Sequence, residues 1–264
     1  MQLLAMQFPG VALSGRSLPQ QDAMLVAAAA MQPLSADWQL WQQDHDFQHI
    51  AGSDDALKPL LLAVADGVSA SPAAALASRT ILGHLARLWQ DGQHKGNGLS
   101  SRLLRACQVQ LAETLGRKSG SFGASSTLAV LELHGNKFRA INAGDSRIWR
   151  FRDGALTQLS TDHCYAAELQ PRSAVPLAQC YQALTSYLAA DPDAEDFVVT
   201  VMDGDVRVGD QFLLSTDGIH DELSAELLSE CCSCRQPMDI AHKISSLLPS
   251  ESLSDNASLL WVAI

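Results

Sequence analysis

The stretch "LLLAVADGVSASPAAALAS", residues 60–78, changes character twice. From Leu60 to Ala65 the apolar residues run without a break, as in a strand covered on both faces. Asp66-Gly67 ends the run. Ser71-Pro72 then reads as an N-cap followed by proline in the first helical turn. Leu76, Thr80 and His84, with Ile81, Leu85 and Leu88, carry a helix to about Trp89. The acid at the join raises the question. A carboxylate at the mouth of a buried strand is costly unless something cationic receives it. Taken singly, Asp66 is equally a turn residue or a helix cap.

The pattern recurs. "QFLLSTDGIH" is a second apolar run closed by Asp217-Gly218, "SDNASLLWVAI" sets Asp255-Asn256 before the last run, and "QQDAMLV" sets Asp22 before an early one. If these strand ends converge, four carboxylates meet and repel one another. Hard divalent cations with oxygen ligands, Mg²⁺ or Mn²⁺, would compensate that charge.

The rest of the chain supplies a frame. "AMQFPGVAL" opens as a strand, "AMLVAAAA" forms another, and residues 35–59 read as an irregular polar excursion. "DGQHKGNG" separates the first helix from a second one marked by Leu103, Leu104, Cys107, Leu111 and Leu115, an antiparallel pair. From Ser125 the period becomes two: "TLAVLEL", "KFRAINA", "RIWRFR" and "ALTQLS", joined by "HGN", "GDS" and "DG", predict an antiparallel meander. Residues 160–195 read as a surface flap with short helices. Strands return in "DFVVTVMDGDVRVGDQFLLSTDG", followed by helices at about 224–232 and 238–248 and the strand "ASLLWVAI". The expectation is an α+β fold, a four-layer α/β/β/α sandwich of two stacked antiparallel sheets flanked by helix pairs, in one domain spanning 1–264.

Composition narrows the function. A net charge of −11 argues against nucleic acid and against an anionic membrane surface. No apolar run approaches the roughly 20 residues of a membrane span. "MQLLAMQFPGVALSG" lacks a basic n-region, so no signal peptide is read, and the six scattered cysteines suit reduced thiols in a cytoplasm. The cluster "CCSC" has no second Cys/His pair at zinc spacing.

Taken in order, "RSLPQQDA", "LAVADGVS", "FGASSTLAVL", "INAGDSRIWRFRDGALTQLSTDH", "LLSTDGIHDEL" and "SDNASLL" resemble the metal-dependent protein phosphatases of the 2C type, over Arg16 to Ser258. The resemblance implies hydrolysis of phosphoserine and phosphothreonine by water activated between two Mn²⁺ or Mg²⁺ ions. It implies that Asp66 bridges the ions, that the Gly67 carbonyl contacts one, and that Asp217 and Asp255 hold the other. Asp22 would order water at that centre, Asp145 with Asp217 would take a third, weaker ion, and Arg16 would clamp phosphate. The implied partners are a phosphorylated protein and a cognate serine/threonine kinase.

The sequence also departs from the family's pattern. Val68 stands where many members carry glycine and a nearby proton-donating His, and Ser186 stands where Arg is usual. The form "DGVSASP" is similar to phosphatases found beside bacterial type VI secretion genes. The alternatives are a degenerate phosphatase-fold domain that binds a phosphoprotein without catalysis, and a two-metal hydrolase of small phosphoesters. Retention of Asp66, Asp217 and Asp255 opposes the first, and the scattered histidines oppose the second. His163 reads as structural and His220 as an exposed loop residue.

Overall fold

The computed structural model describes residues 1–12, 18–28, 38–41, 46–51, 59–93, 95–168, 183–194, 196–234, 236–248 and 253–264. One sheet has the spatial order β10 (Ala155–Gln158), β9 (Arg147–Arg152), β13 (Gln211–Ser215), β14 (Ala257–Ala263), β1 (Gln2–Phe8) and β4 (Asp46–Ala51). The other runs β12 (Thr200–Asp205), β8 (Lys137–Ala143), β7 (Leu128–His134), β5 (Leu60–Ala65), β2 (Ala23–Ala28) and β3 (Trp38–Trp41). A short ribbon pairs β6 (Ser125–Ser126) with β11 (Leu188–Ala189). The helices are α1 (Ala74–Gln93), α2 (Ser101–Leu115), α3 (Tyr165–Glu168), α4 (Asp217–His220), α5 (Ala225–Cys232) and α6 (Pro237–Leu247). Among the described residues no helix is long and apolar enough to cross a membrane.

The unbroken run of β5 now has its reason. Leu60, Leu62 and Val64 pack between the sheets with Leu3, Phe212, Leu214, Leu260 and Val262. Leu61, Ala63 and Ala65 pack the other way, with Ile81, Leu85 and Trp89 of α1 and Leu104 and Leu111 of α2. On the outer face of the sheet that holds β1, β13 and β14, Leu4, Met6, Leu213 and Trp261 join Leu228 of α5 and Ile240 and Ile244 of α6. Three apolar layers thus separate helix pair, sheet, sheet and helix pair, the sandwich the sequence predicts. Each fully buried Leu, Ile or Phe contributes about 1.5–3 kcal/mol.

Several expectations are corrected. β1 begins at Gln2 and stops before Pro9, which has no N–H to give a ladder. The polar excursion at 35–59 contains β3 and β4, which pair with β2 and β1 at the two sheet edges. Both are edge strands, each hydrogen-bonded to a single neighbour. Helix α1 starts at Ala74, after Ala73 at φ 53°, and continues to Gln93. The Ser71 hydroxyl accepts from the Ser125 N–H instead of capping the helix. Leu76 is exposed.

The largest correction concerns the meander. β7 and β8 form one hairpin and β9 and β10 another, but the hairpins lie in different sheets. Gly144-Asp145-Ser146 is a crossover between sheets. Gly144 has φ 107°, and a Cβ there would lie 2.6 Å from Thr127 Cβ. Asn142 donates to the Gly144 carbonyl, and His163 holds both Gly144 backbone groups, accepting its N–H at Nδ1 and donating to its carbonyl from the backbone N–H.

Antiparallel pairing explains where the acids go. The start of β2 lies beside the end of β5, through Ala23 and Ala65. The end of β13 lies beside the start of β14, and the start of β7 beside the end of β8. Every acid singled out from the sequence therefore sits at one end of the sandwich. Gly144→Ala should cost about 2–4 kcal/mol from the backbone penalty and the clash with Thr127. Urea unfolding measures it, and an unchanged midpoint would contradict this account of the crossover.

Candidate metal centre

Asp66, Asp145, Asp217 and Asp255 line one cleft of about 200 Å³, together with Gly67, Val68, Ser69, Thr127, Ala183 and Leu184. Asp22 lies beneath it, 1% exposed. Its Oδ2 accepts from Thr216 Oγ1 at 2.8 Å, and Thr216 Oγ1 accepts from the Ser258 N–H at 2.9 Å. Gln7 of β1 donates to the Asp22 carbonyl and to Ser258 Oγ. These bonds cross from one sheet to the other and fix Asp22 against Asp217. Asn256 Oδ1 accepts from the Gln21 N–H, and the Gln21 carbonyl accepts from the Gly67 N–H and from Ser78 of α1.

Glycine is required at two points of the frame. A Cβ on Gly67 would lie 2.5 Å from the Ala74 carbonyl oxygen, and one on Gly218 would lie 2.1 Å from that of Asn256. The second approach lets α4 start against β14, so Asp217 and Asp255 face the same cleft.

The electrostatics are severe. Asp66 is held well above the ordinary carboxylate range, first by burial and then by Asp22, Asp217, Asp255 and Asp145. Burial and Asp217 push Asp22 up to about 8 and Asp145 to about 7. Burial and Asp255 push Asp217 to about 6, and Asp255 is raised chiefly by burial. Asp66 stands close enough to Asp22 and Asp217 for each carboxyl to raise its affinity for a proton. Carboxyls that close need a proton or a cation between them.

The residues fit a hard cation. Asp22 Oδ1 is buried and has no hydrogen-bond partner among the described residues. The donor set is carboxylates and a backbone carbonyl, the oxygen ligands that Mg²⁺ and Mn²⁺ take. Among the described residues no three His, Cys, Asp or Glu side chains are already placed to hold an ion together, and bare carboxyls repel one another.

Asp22, Asp66, Gly67, Asp145, Asp217 and Asp255 are thus brought to one end of the sandwich. Arg16 lies outside the described residues. His163 is structural, as expected: buried, with Nδ1 on Gly144 and Nε2 beside Thr200 Oγ1 at 2.9 Å. His220 is not an exposed loop residue. It ends α4 buried, with Nδ1 2.9 Å from Ser215 Oγ and its ring edge-on to Trp149. Burial and then Arg147 hold it well below the usual histidine range, so it is neutral. Ser186 is buried and donates to the Val198 carbonyl. Sequence reasoning passed over Thr127, Thr216 and Ser258. Thr216 and Ser258 had only the signal of position, each within three residues of an acid at a strand end, and Thr127 had none beyond standing at the start of an apolar strand.

A family model described as protein phosphatase 2C matches residues 39–248. The serine/threonine protein phosphatase PstP of Mycobacterium tuberculosis is 26% identical over 204 residues, 76% of this chain and 39% of that protein. The chain thus spans 39% of the length of the curated relatives it matches. The crystal structure of the same organism's phosphatase PstP/Ppp superposes with TM-score 0.71 at 23% identity, covering 99% of this chain and 98% of that one. PppA, described as a key regulatory component of T6SS in Pseudomonas aeruginosa, gives 0.65 at 22% identity over 99% and 96%. The PstP catalytic domain in complex with 2 manganese ions gives 0.65 at 22% over 99% and 98%. At these identities the likeness shows the fold.

The raised carboxyls have a sign. Each binds its proton more tightly folded than unfolded, so its contribution to stability is full below the unfolded pKa of about 4. That contribution is lost as pH rises, ending near 8 for Asp22. In chelator, the melting temperature should fall between pH 5 and 8, and Mn²⁺ should flatten the fall. Asp66→Asn in chelator at pH 8 should melt at least about 2 °C higher than the wild type. A lower melting temperature would show that the cluster is not under charge strain.

Proposed function

The chain belongs to the protein phosphatase 2C family, and from that premise we propose that residues 1–264 form one domain that hydrolyses phosphoserine and phosphothreonine in proteins with Mn²⁺ or Mg²⁺. The observation that carries this reading is the meeting of four cleft carboxyls and the buried Asp22, all with raised pKa. Asp66, the Gly67 carbonyl, Asp217 and Asp255 would hold two divalent cations, and Asp145 with Asp217 a third. Bound there, the cations would lower the pKa of water and neutralise charge on the phosphoryl oxygens. Asp22, buried beneath the cleft with Oδ2 held by Thr216, would order water at the centre, as the matching motif implies. Arg16 is assigned to the phosphate, as the matching motif implies. No protein nucleophile is required, so Ser14, Ser69 and Cys164 take no part.

The finer reading is a cytoplasmic phosphatase that reverses a bacterial threonine kinase in type VI secretion. It is supported by "DGVSASP" and by the fold shared with PppA. Hydrolysis of phosphothreonine peptide should cease in EDTA and return with Mn²⁺. Asp66→Ala and Asp217→Ala should each weaken Mn²⁺ binding and turnover by at least about 100-fold. Asp145→Ala should mainly raise the metal concentration needed. Full activity in EDTA, or a trapped phosphoenzyme, would refute the mechanism.

The proton for the leaving group has no histidine donor after Asp66-Gly67, because Val68 stands there. His220 is neutral and engaged with Ser215. His220→Ala should therefore slow phosphothreonine peptide and an aryl phosphate by the same small factor. A loss above about tenfold on the peptide alone would make His220 the acid.

A further inference from the structure

The pairing of β5 with β7 ends in an irregular rung. Continued past Val64 and Ala129, the register sets Asp66 opposite Thr127 and Gly67 opposite Ser126. The Thr127 N–H donates to the Asp66 carbonyl at 2.8 Å, as the ladder requires. The return bond does not go to the Thr127 carbonyl. The Asp66 N–H donates instead to the Thr127 hydroxyl oxygen at 3.1 Å. The Thr127 carbonyl accepts from Ser126 Oγ at 2.9 Å.

The same hydroxyl makes a second bond, 2.8 Å to Ser146 Oγ. Ser146 belongs to the crossover and immediately follows Asp145. Thr127 and Ser146 are 2% and 1% exposed, so neither bond is exchanged for water. The other side of Thr127 is packed against Gly144, where a Cβ would lie 2.7 Å from the Thr127 methyl carbon. One side chain thus touches the backbone of the acid at the end of β5 and both neighbours of the acid in the crossover. These are the only segments that reach the cleft from the β5 side and from the β8–β9 crossover among the described lining residues.

We propose that Thr127, together with Ser146, is the positioning pair that keeps Asp66 and Asp145 in register across the cleft and so sets its affinity for divalent cations. The inference rests on the metal reading of the cleft. Both hydroxyls are engaged with protein groups. Their action is exerted through Asp66 and Asp145. Threonine suits the position because its hydroxyl serves the Asp66 N–H and Ser146 while its methyl fills the space left by Gly144. Valine keeps the shape and removes the bonds, leaving a buried N–H without an acceptor. Serine keeps the bonds and removes the methyl.

The test is a calorimetric titration of the full chain with Mn²⁺ alone, with unfolding in chelator measured alongside. Thr127→Val should weaken Mn²⁺ binding about 10- to 100-fold, and Thr127→Ser should restore it to within about threefold of wild type. Ser146→Ala and Asp145→Asn should be non-additive: each weakens binding, and the double variant is little worse than the worse single one. Wild-type affinity in Thr127→Val, failure of Thr127→Ser to restore it, or simple additivity of the Ser146 and Asp145 variants would each overturn the proposal. Affinity losses that follow the unfolding midpoints across all variants would also overturn it, since a merely structural role predicts that. If Thr127→Val does not fold, Thr127→Ser and the Ser146/Asp145 cycle decide alone. A wild-type chain that binds no Mn²⁺ would refute the metal reading itself, a result distinct from any failure of the positioning pair.

Discussion

Repulsion among buried carboxyls is the constraint to which the rest of the molecule answers. Two like charges about 4 Å apart cost about 4 kcal/mol at the effective dielectric of a protein. One such contact offsets the burial of roughly two large apolar side chains. Asp22 and Asp217 bear most strongly on Asp66, and Asp255 and Asp145 add to its field. Loops alone would part under that load. The acids instead sit within two residues of the ends of strands gripped from both sides by the apolar layers around Leu62, Leu61 and Leu213. Cross-sheet bonds through Thr216, Gln7 and the Thr127–Ser146 pair then keep the strand ends from separating.

That arrangement explains what the sequence made legible. Runs such as Leu60–Ala65 and "QFLLS" are apolar on both faces because both faces are covered, so they identify central strands of a layered fold. The acids closing them identify the site. What stayed hidden was pairing. Alternation with period two marks "KFRAINA" and "RIWRFR" as strands, but it is the same whether the next strand joins the same sheet or the opposite one. "GDS" resembles a hairpin turn, and only the conformation of Gly144 and its closeness to Thr127 make it a crossover. β3 and β4 were hidden for a related reason. Their short runs, "WQLW" and "DFQHIA", stand among Asp, Gln and His residues, so no long periodic pattern marks them.

The site was legible in its charged members and opaque in its neutral ones. Asp22, Asp66, Asp145, Asp217 and Asp255 stand out because acids beside apolar runs are expensive. Thr127, Ser146, Thr216 and Ser258 do not, because small hydroxyl residues are common at any strand end. His220 misled for the opposite reason. A histidine three residues past Asp217 invites a catalytic or exposed reading, whereas packing on Trp149 and the bond to Ser215 fill its environment. Ser71 carried a capping signal that was locally correct. Its hydroxyl was claimed by Ser125, a residue more than fifty positions away, which no local rule reveals.

The charge of the cleft bears on its chemistry as well as on its stability. Its described lining contains four acids and no Lys, Arg or His. A phosphate ester is itself anionic, so these walls would repel the substrate the fold is proposed to take. Cations held by the acids would resolve both problems, lowering the repulsion within the cluster and turning an anionic cleft into one that receives an anion. The same residues would be a liability to the unloaded chain and the source of affinity in the loaded one. A site of this kind trades stability for function at the same atoms. The hydroxyl network beneath it must therefore hold the acids close enough to share a cation while they are still driving one another apart.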